Sequence, residues 1–138
     1  MALSRTGRTI FSIVGVILIA AILFGLRLWN KPRRSVSDEV PIQISPDSLL
    51  EMFTNNEKLA DSLYLNKAIR ISGIVQNVDT NADGKTTVLV QTNDPLSGVF
   101  CTLRNKGERP VSGAPATLEG FCSGFTMDVV LTDCVLLK

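Results

Sequence analysis

Two periodicities divide the chain. From Thr9 to Leu26 (TIFSIVGVILIAAILFGL) eighteen residues run without a charge, bracketed by Arg8 and Arg27. A helix rises about 1.5 Å per residue, so this run reaches about 27 Å, close to the roughly 30 Å of a hydrocarbon core. The run has no polar face, which a surface helix of a soluble domain would carry. The pattern therefore predicts a transmembrane helix over residues 9–29, after a short tail at 1–8. Trp29 suits the membrane interface and Arg27 can snorkel towards water. A cleavable export signal has a shorter apolar region and a small-residue cleavage site; LRLWNKPRR follows here, so the expectation is an uncleaved signal anchor.

After the anchor the pattern breaks. Residues 30–45 are polar, contain Pro32 and Pro41, and read as a linker whose end, Val40, Ile42 and Ile44, alternates like a short extended piece. Ser45-Pro46-Asp47 then signals a helix start: a serine cap, a proline suited to the first turn, and an acid at the positive end of the dipole. Leu49, Phe53, Ala60, Leu63 and Tyr64 follow at near-helical spacing, predicting a helix over 46–64. Asn55-Asn56 interrupts the stripe and can re-cap a second half from Glu57.

From Lys67 the period becomes two. Strands are predicted over 68–78, 85–92, 98–103, 116–124 and 127–137, with Gly73 marking a bulge or bend in the first and the Gly- and Pro-rich stretch 105–115 a loop. Five strands in about 70 residues, the first of them bent, suggest a small barrel of the five-stranded OB type, with an SH3-like barrel as the other design of that size. The fold class expected is mainly β: an OB-like barrel over 46–138 preceded by an α-helix, plus the N-terminal transmembrane helix.

Charge changes the picture once it is split. Residues 1–34 hold six bases and no acid, which leaves 8 of the 14 bases and all 13 acids to the remainder, a balance of −5. A basic anchor precedes an acidic domain. Counting bases beside the helix, Arg5 and Arg8 against Arg27, Lys31, Arg33 and Arg34, favours a cytoplasmic domain. The very short tail, usual in signal anchors that export the domain behind them, and the presence of cysteines in that domain favour the opposite side. The expectation is a single-pass protein of a plasma membrane with an extracytoplasmic domain, the cytoplasmic side being the alternative.

The chain contains no histidine, which removes imidazole from catalysis and metal binding. Cys101, Cys122 and Cys134 fit neither a zinc knuckle nor a CxxC pair. In an OB barrel the strand neighbours run 1-2-3-5-4, so a disulfide between Cys101 and Cys134 is topologically allowed; centring the last hairpin on Phe125-Thr126 puts Cys122 opposite Val129 and makes Cys122–Cys134 the poorer pair. Three buried thiols are the other reading.

At the level of motifs, Asn56-Glu57-Lys58-Leu59-Ala60-Asp61, Tyr64, Lys67 and Ser72-Gly73-Ile74-Val75 resemble the helix-to-first-strand segment of the tRNA_anti-like OB-fold family. Cys101, Gly120-Phe121-Cys122-Ser123-Gly124, Asp128-Val129-Val130-Leu131 and Cys134 continue that resemblance, and the anchor is similar to those of its small bacterial members. The resemblance implies an OB fold and carries no established activity. One departure is the short connection between the third and fourth strands, too small for the helix of a standard OB fold.

Three stretches are candidate sites. Gly120–Gly124 matches a G-x-nucleophile-x-G elbow on paper, but a strand comes after it and no histidine exists to serve it. Asp79, Asn81 and Asp83 have the spacing of a calcium loop; Val90 stands where its twelfth-position acid belongs, and Asp83-Gly84 equally makes a hairpin turn. OB barrels bind polymers on strands two and three and adjacent loops, which makes Asp79, Asp83, Lys85, Phe125 and Met127 the candidate binding loops. Strand parity turns Phe100 and Phe121 away from the core, and Lys67, Arg70, Arg104, Lys106 and Arg109 are the bases available for a local patch. With an acidic domain and few rings, nucleic acid is the less expected ligand. The functional expectation is a non-catalytic binding or assembly module of the bacterial cell envelope, without cofactor, directed at another protein or an envelope polymer; the alternative is a tethered nucleic-acid binder facing the cytoplasm.

Overall fold

The computed structural model describes residues 5–29, 35–36 and 39–137, with side chains in the first helix described from Ile13. Two compact units emerge, residues 1–34 and 35–138. The first contains helix α1, Arg5–Trp29, which encloses the apolar run. From Ile13 to Trp29 its apolar side chains are exposed on every side, with Phe24 at 67% and Val14 at 49%. Among the described residues no helix is long and apolar enough to cross a membrane. Of the run Thr9–Leu26, the side chains of Thr9–Ser12 lie outside the described residues.

The second unit begins earlier than the sequence pattern implies. Val36 is fully buried, and Ile42–Gln43 form a short strand, β1, parallel to the next strand at Ile69–Arg70. Much of the stretch read as a linker is therefore part of the folded domain, because Val36 is covered and Ile42 and Ile44 pack against the core, although Val40 stays exposed. Helices α2 (Pro46–Asn55) and α3 (Glu57–Tyr64) follow. Ser45 Oγ accepts from the Ser48 amide at the start of α2. Asn56 ends α2 and caps α3, its Oδ1 accepting from the Leu59 amide, so the break in the stripe is a hinge between two helices.

Five strands close the barrel: β2 (Ala68–Thr80), β3 (Thr86–Val90), β4 (Val99–Leu103), β5 (Pro115–Phe125) and β6 (Val129–Leu137). The order is β2-β3-β4-β6-β5, and β5 returns to β2 to complete the circle. All pairs are antiparallel except β4 with β6, where Cys101 lies opposite Leu131. One long strand serves both neighbours of the closure: β2 pairs with β5 up to Ile74 and with β3 from Val75. Gly73 sits at the changeover, where an added Cβ would come within 2.7 Å of Val90 and 3.0 Å of Pro46.

The core alternates as a barrel requires. Ile69, Ile71, Val75, Val88, Val90, Val99, Cys101, Leu103, Leu118, Cys122, Val129, Leu131 and Cys134 all point inward. One end is closed by α2 and α3, whose Leu49 and Phe53 join that core. Phe53 lies 5.8 Å from Phe125 in a stacked pair and 6.3 Å from Tyr64. The connection from β4 to β5 carries no helix, so the plug that a standard OB barrel draws from that connection comes from upstream.

Two bulges shift the last hairpin from simple alternation. Cys122 pairs with Leu131 and Phe125 with Val129, not Cys122 with Val129 as a symmetric turn predicts. The extra residues are Ser123, next to Gly124 at φ 129, and Asp133 at φ 51.

Candidate ligand face

The register places the loops. Val99 pairs with both Val90 and Val129, so the β3–β4 and β5–β6 loops share one end, beside the helices. There the Gly98 amide donates to Asp128 Oδ1 at 2.7 Å, and the Asn93 amide to Asp47 Oδ1 at 2.6 Å. The β2–β3 turn and the β4–β5 loop share the other end. The candidate loops Asp79–Lys85 and Gly124–Asp128 thus stand at opposite ends of the strands between them.

What joins those ends is the outer surface of β3, β4 and β6. Leu89 lies opposite Phe100, and Phe100 opposite Val130, which makes one half-buried apolar row across three strands. Thr87 and Thr102 form the next row, with Asp79 beside Thr87 and Asn77 beside Leu89. Lys85 and Arg104 continue the same parity two positions further along their strands. The face therefore offers a ring and aliphatic contacts at its centre, the half-buried Thr102 beside them with Thr87 itself buried, carboxylate and amide along one edge, and Lys85 at one end, where Arg104 is engaged by Ser35. Such a surface suits a chain with alternating apolar and polar groups better than a uniform polyphosphate backbone, which needs cations along its length.

The sequence-selected residues fare differently. Phe100 and Phe121 do face outward, each half-buried. Phe125 is withdrawn from the candidate loop: it packs on the core and stacks on Phe53, because the helical plug needs it there. Met127 is exposed at the helical end. Asn81 Oδ1 accepts from the amides of Asp83 and Lys85, and Asp79 Oδ1 from that of Thr80, so two side chains of the would-be calcium loop serve the turn itself. Among the described residues no cluster of three or more acids or thiols could hold a metal.

The bases do not assemble into one patch. Arg70 on β2 binds Glu119 across the β2–β5 ladder, Nε at 2.9 Å and Nη2 at 2.8 Å from Oε2, where the carboxylate is nearly buried. Arg104 Nη1 donates to Ser35 Oγ at 3.2 Å. Lys67 follows α3, whereas Arg104, Lys106 and Arg109 lie at the opposite end.

The three cysteines are buried free thiols. Burial pushes the Cys122 thiol up from its ordinary value, an effect opposed by the Gly124 amide and reinforced by Asp61. Cys101 is raised well above that value, first by its hydrogen bond with Cys134 and then by burial. The two thiols touch, yet they are not a register pair: Cys134 lies opposite Leu103, two residues beyond Cys101. Of the two readings, a Cys101–Cys134 disulfide or three buried thiols, the structure carries the thiols, side by side. Gly120 makes the room, since a Cβ there would collide with Cys134 Sγ. The Gly120–Gly124 elbow is dissolved by the same geometry: it lies inside β5, with Cys122 pointing into the core.

A five-stranded closed barrel in this order, with its third and fifth strands parallel, defines an OB-fold domain. A solved structure described as a presumptive nucleic acid-binding lipoprotein from Klebsiella pneumoniae subsp. pneumoniae MGH 78578 shares that fold: TM-score 0.56 at 16% identity, covering 70% of this chain and 92% of its own. The chain belongs to the tRNA_anti-like family, whose sequence pattern matches residues 1–136. No curated protein sequence matches it.

Proposed function

We propose that this protein is a single-pass membrane-anchored OB-fold binding module of the bacterial cell envelope, non-catalytic and without cofactor, with its barrel on the extracytoplasmic side. The eighteen uncharged residues Thr9–Leu26 within a 25-residue helix, apolar on every described side, support the anchor. The observation that carries the binding role is the Leu89–Phe100–Val130 row, an apolar band on the outside of a barrel whose inside is already filled. The partner is another protein or an envelope polymer met on that face. Two measurements test the reading. A topology reporter fused after Lys138 is expected outside the cytoplasm; a cytoplasmic signal would sink the envelope assignment. Phe100→Ala in the full chain is expected to lose co-purifying partners while leaving the unfolding transition of the barrel intact.

A second reading has its own support. The Klebsiella neighbour is described as a presumptive nucleic acid-binding lipoprotein, and Lys85 with Arg104 prolongs the face at one end. A tethered nucleic-acid binder would face the cytoplasm and bind a labelled single-stranded oligonucleotide with an affinity that falls steeply with salt. Absence of such binding at low salt removes it.

A further inference from the structure

The tether between helix and barrel is much shorter than the sequence pattern implies. α1 ends at Trp29 and the barrel unit begins at Ser35, which is fixed to Arg104, so only residues 30–34 separate them. Six Cα steps reach at most about 20 Å. The point of attachment matters as much as the length. Arg104 directly follows β4 and opens the β4–β5 loop, so the chain leaves the barrel at its helix-free end.

That loop has a composition unlike the rest of the domain. Between Arg104 and Ala114 it holds Arg104, Lys106 and Arg109 against Glu108 alone, in a domain that is acidic as a whole. Lys106 and Arg109 are exposed, and Glu108 Oε1 is occupied by Asn105 Nδ2. Val111 is 71% exposed at the same loop, above a groove of about 460 Å³ lined by Pro110, Pro115, Ala116 and Leu136. Asp47, Glu51, Glu57, Asp61, Asp94 and Asp128 belong to the helices and loops of the opposite end, while Asp79 and Asp83 share the loop's end on the β2–β3 turn, beside Lys85, so the positive balance belongs to the β4–β5 loop itself. Charges further apart than about 8 Å are screened from one another at physiological salt, so the two ends meet their surroundings separately.

We propose that the β4–β5 loop docks on the anionic headgroup surface of the membrane that holds α1, with Lys106 and Arg109 facing the headgroups and Val111 entering the interface. The proposal rests on the membrane-anchor reading above. A short tether keeps the loop at high effective concentration over the surface, so a weak contact suffices. Basic residues beside an apolar one suit an anionic interface, and the tether carries the same sign in Lys31, Arg33 and Arg34. Docked in this way, the barrel turns its acidic helical end away from the lipid.

The test uses the full chain in phosphatidylcholine vesicles with and without phosphatidylglycerol, quenched by lipids spin-labelled near the headgroup. Trp29 is the sole tryptophan, so its quenching in the unsubstituted chain reports insertion of α1. Two reporters are placed in a Trp29→Phe background: Val111→Trp in the loop and Met127→Trp at the opposite end. Quenching at 111 is expected to exceed that at 127 by roughly threefold in anionic vesicles and to fall at high salt, where electrostatic attraction is screened. Charge reversal, Lys106→Glu with Arg109→Glu, is expected to abolish the excess. Equal quenching at 111 and 127, or quenching at 111 indifferent to the anionic lipid, would overturn the docking. An unquenched Trp29 would overturn the anchor itself, a separate result.

Discussion

The two ends of the barrel are built on different principles. At the helical end Leu49 and Phe53 reach into the core, Phe125 stacks on Phe53, and the β3–β4 and β5–β6 loops are tied down through Asp47 and Asp128. At the other end the loops hold themselves: Asn81 closes its own turn, and the Gly113 amide and Ala114 carbonyl bond to Val75. One end is stabilised by side-chain burial between distant segments, the other by backbone hydrogen bonds, local in the Asn81 turn and long-range from the β4–β5 loop to Val75. The difference shows which end can change its surface without endangering the fold. An exposed loop over a self-contained barrel can carry charge or an apolar tip, whereas a plug cannot.

The largest effect is expected from pulling the plug. Phe53 is 1% exposed, so Phe53→Ala removes a ring that the surrounding side chains cannot replace. The cost is expected to be about 3–5 kcal/mol in urea unfolding. Thiol alkylation sharpens the point, because Cys122 bonds through its backbone to Asn66 and Lys67 below the helices, while Cys134 lies opposite Leu103 at β4's loop end and Cys101 between the two. In the variant Cys122 is expected to become reactive first. Simultaneous exposure of all three would mean that the ends are not separate. The parent is expected to yield three free thiols when denatured without reductant.

A seam change comes next. Gly120→Ala puts a methyl against Cys134 Sγ, within 3.1 Å of the Thr132 carbonyl and 3.3 Å of Leu131. Overpacking of this kind is expected to cost about 1–3 kcal/mol. Adding Cys134→Ala is expected to recover part of that loss; an undiminished loss would place the strain in the backbone instead. Asn56→Ala ranks below it, at about 1 kcal/mol for a lost helix cap. Because α2 and α3 share that residue, proteolysis near Asn55 should rise along with it.

Much of this architecture was legible in the alternation of apolar positions. The strands, the bend at Gly73 and the outward Phe100 follow from period two, and the closure from the way a long first strand must serve two neighbours. The expected helix divides at Asn56, where the stripe breaks. Three features were not legible for physical reasons. Single extra residues at Ser123 and Asp133 reset the pairing of β5 with β6, and no local pattern announces a bulge on both strands of one hairpin. Phe125 has the composition of a loop aromatic and is claimed by the plug, a contact across some 70 positions of sequence with Phe53. Val36 sits in a polar stretch, where no apolar neighbour at strand or helix spacing marks it for burial. Net charge misled in another way: summed over the domain it is acidic, yet the β4–β5 loop is locally basic.

The smallest effect is expected at the loop end, and it tests the comparison from the opposite side. Arg109 is exposed in a loop whose fold rests on the Val75 backbone and on Val111–Ala114. Its side chain contributes little buried area, and an exposed charge in a solvated loop adds little to stability. Arg109→Ala is therefore expected to move the urea midpoint by no more than about 0.5 kcal/mol equivalent, with an unchanged slope. A loss above about 1 kcal/mol would show that the loop braces the barrel as the helices do, since changes of that size come from buried contacts or networks rather than exposed side chains. Near-neutrality leaves this end free to evolve its charge for what it meets outside the protein.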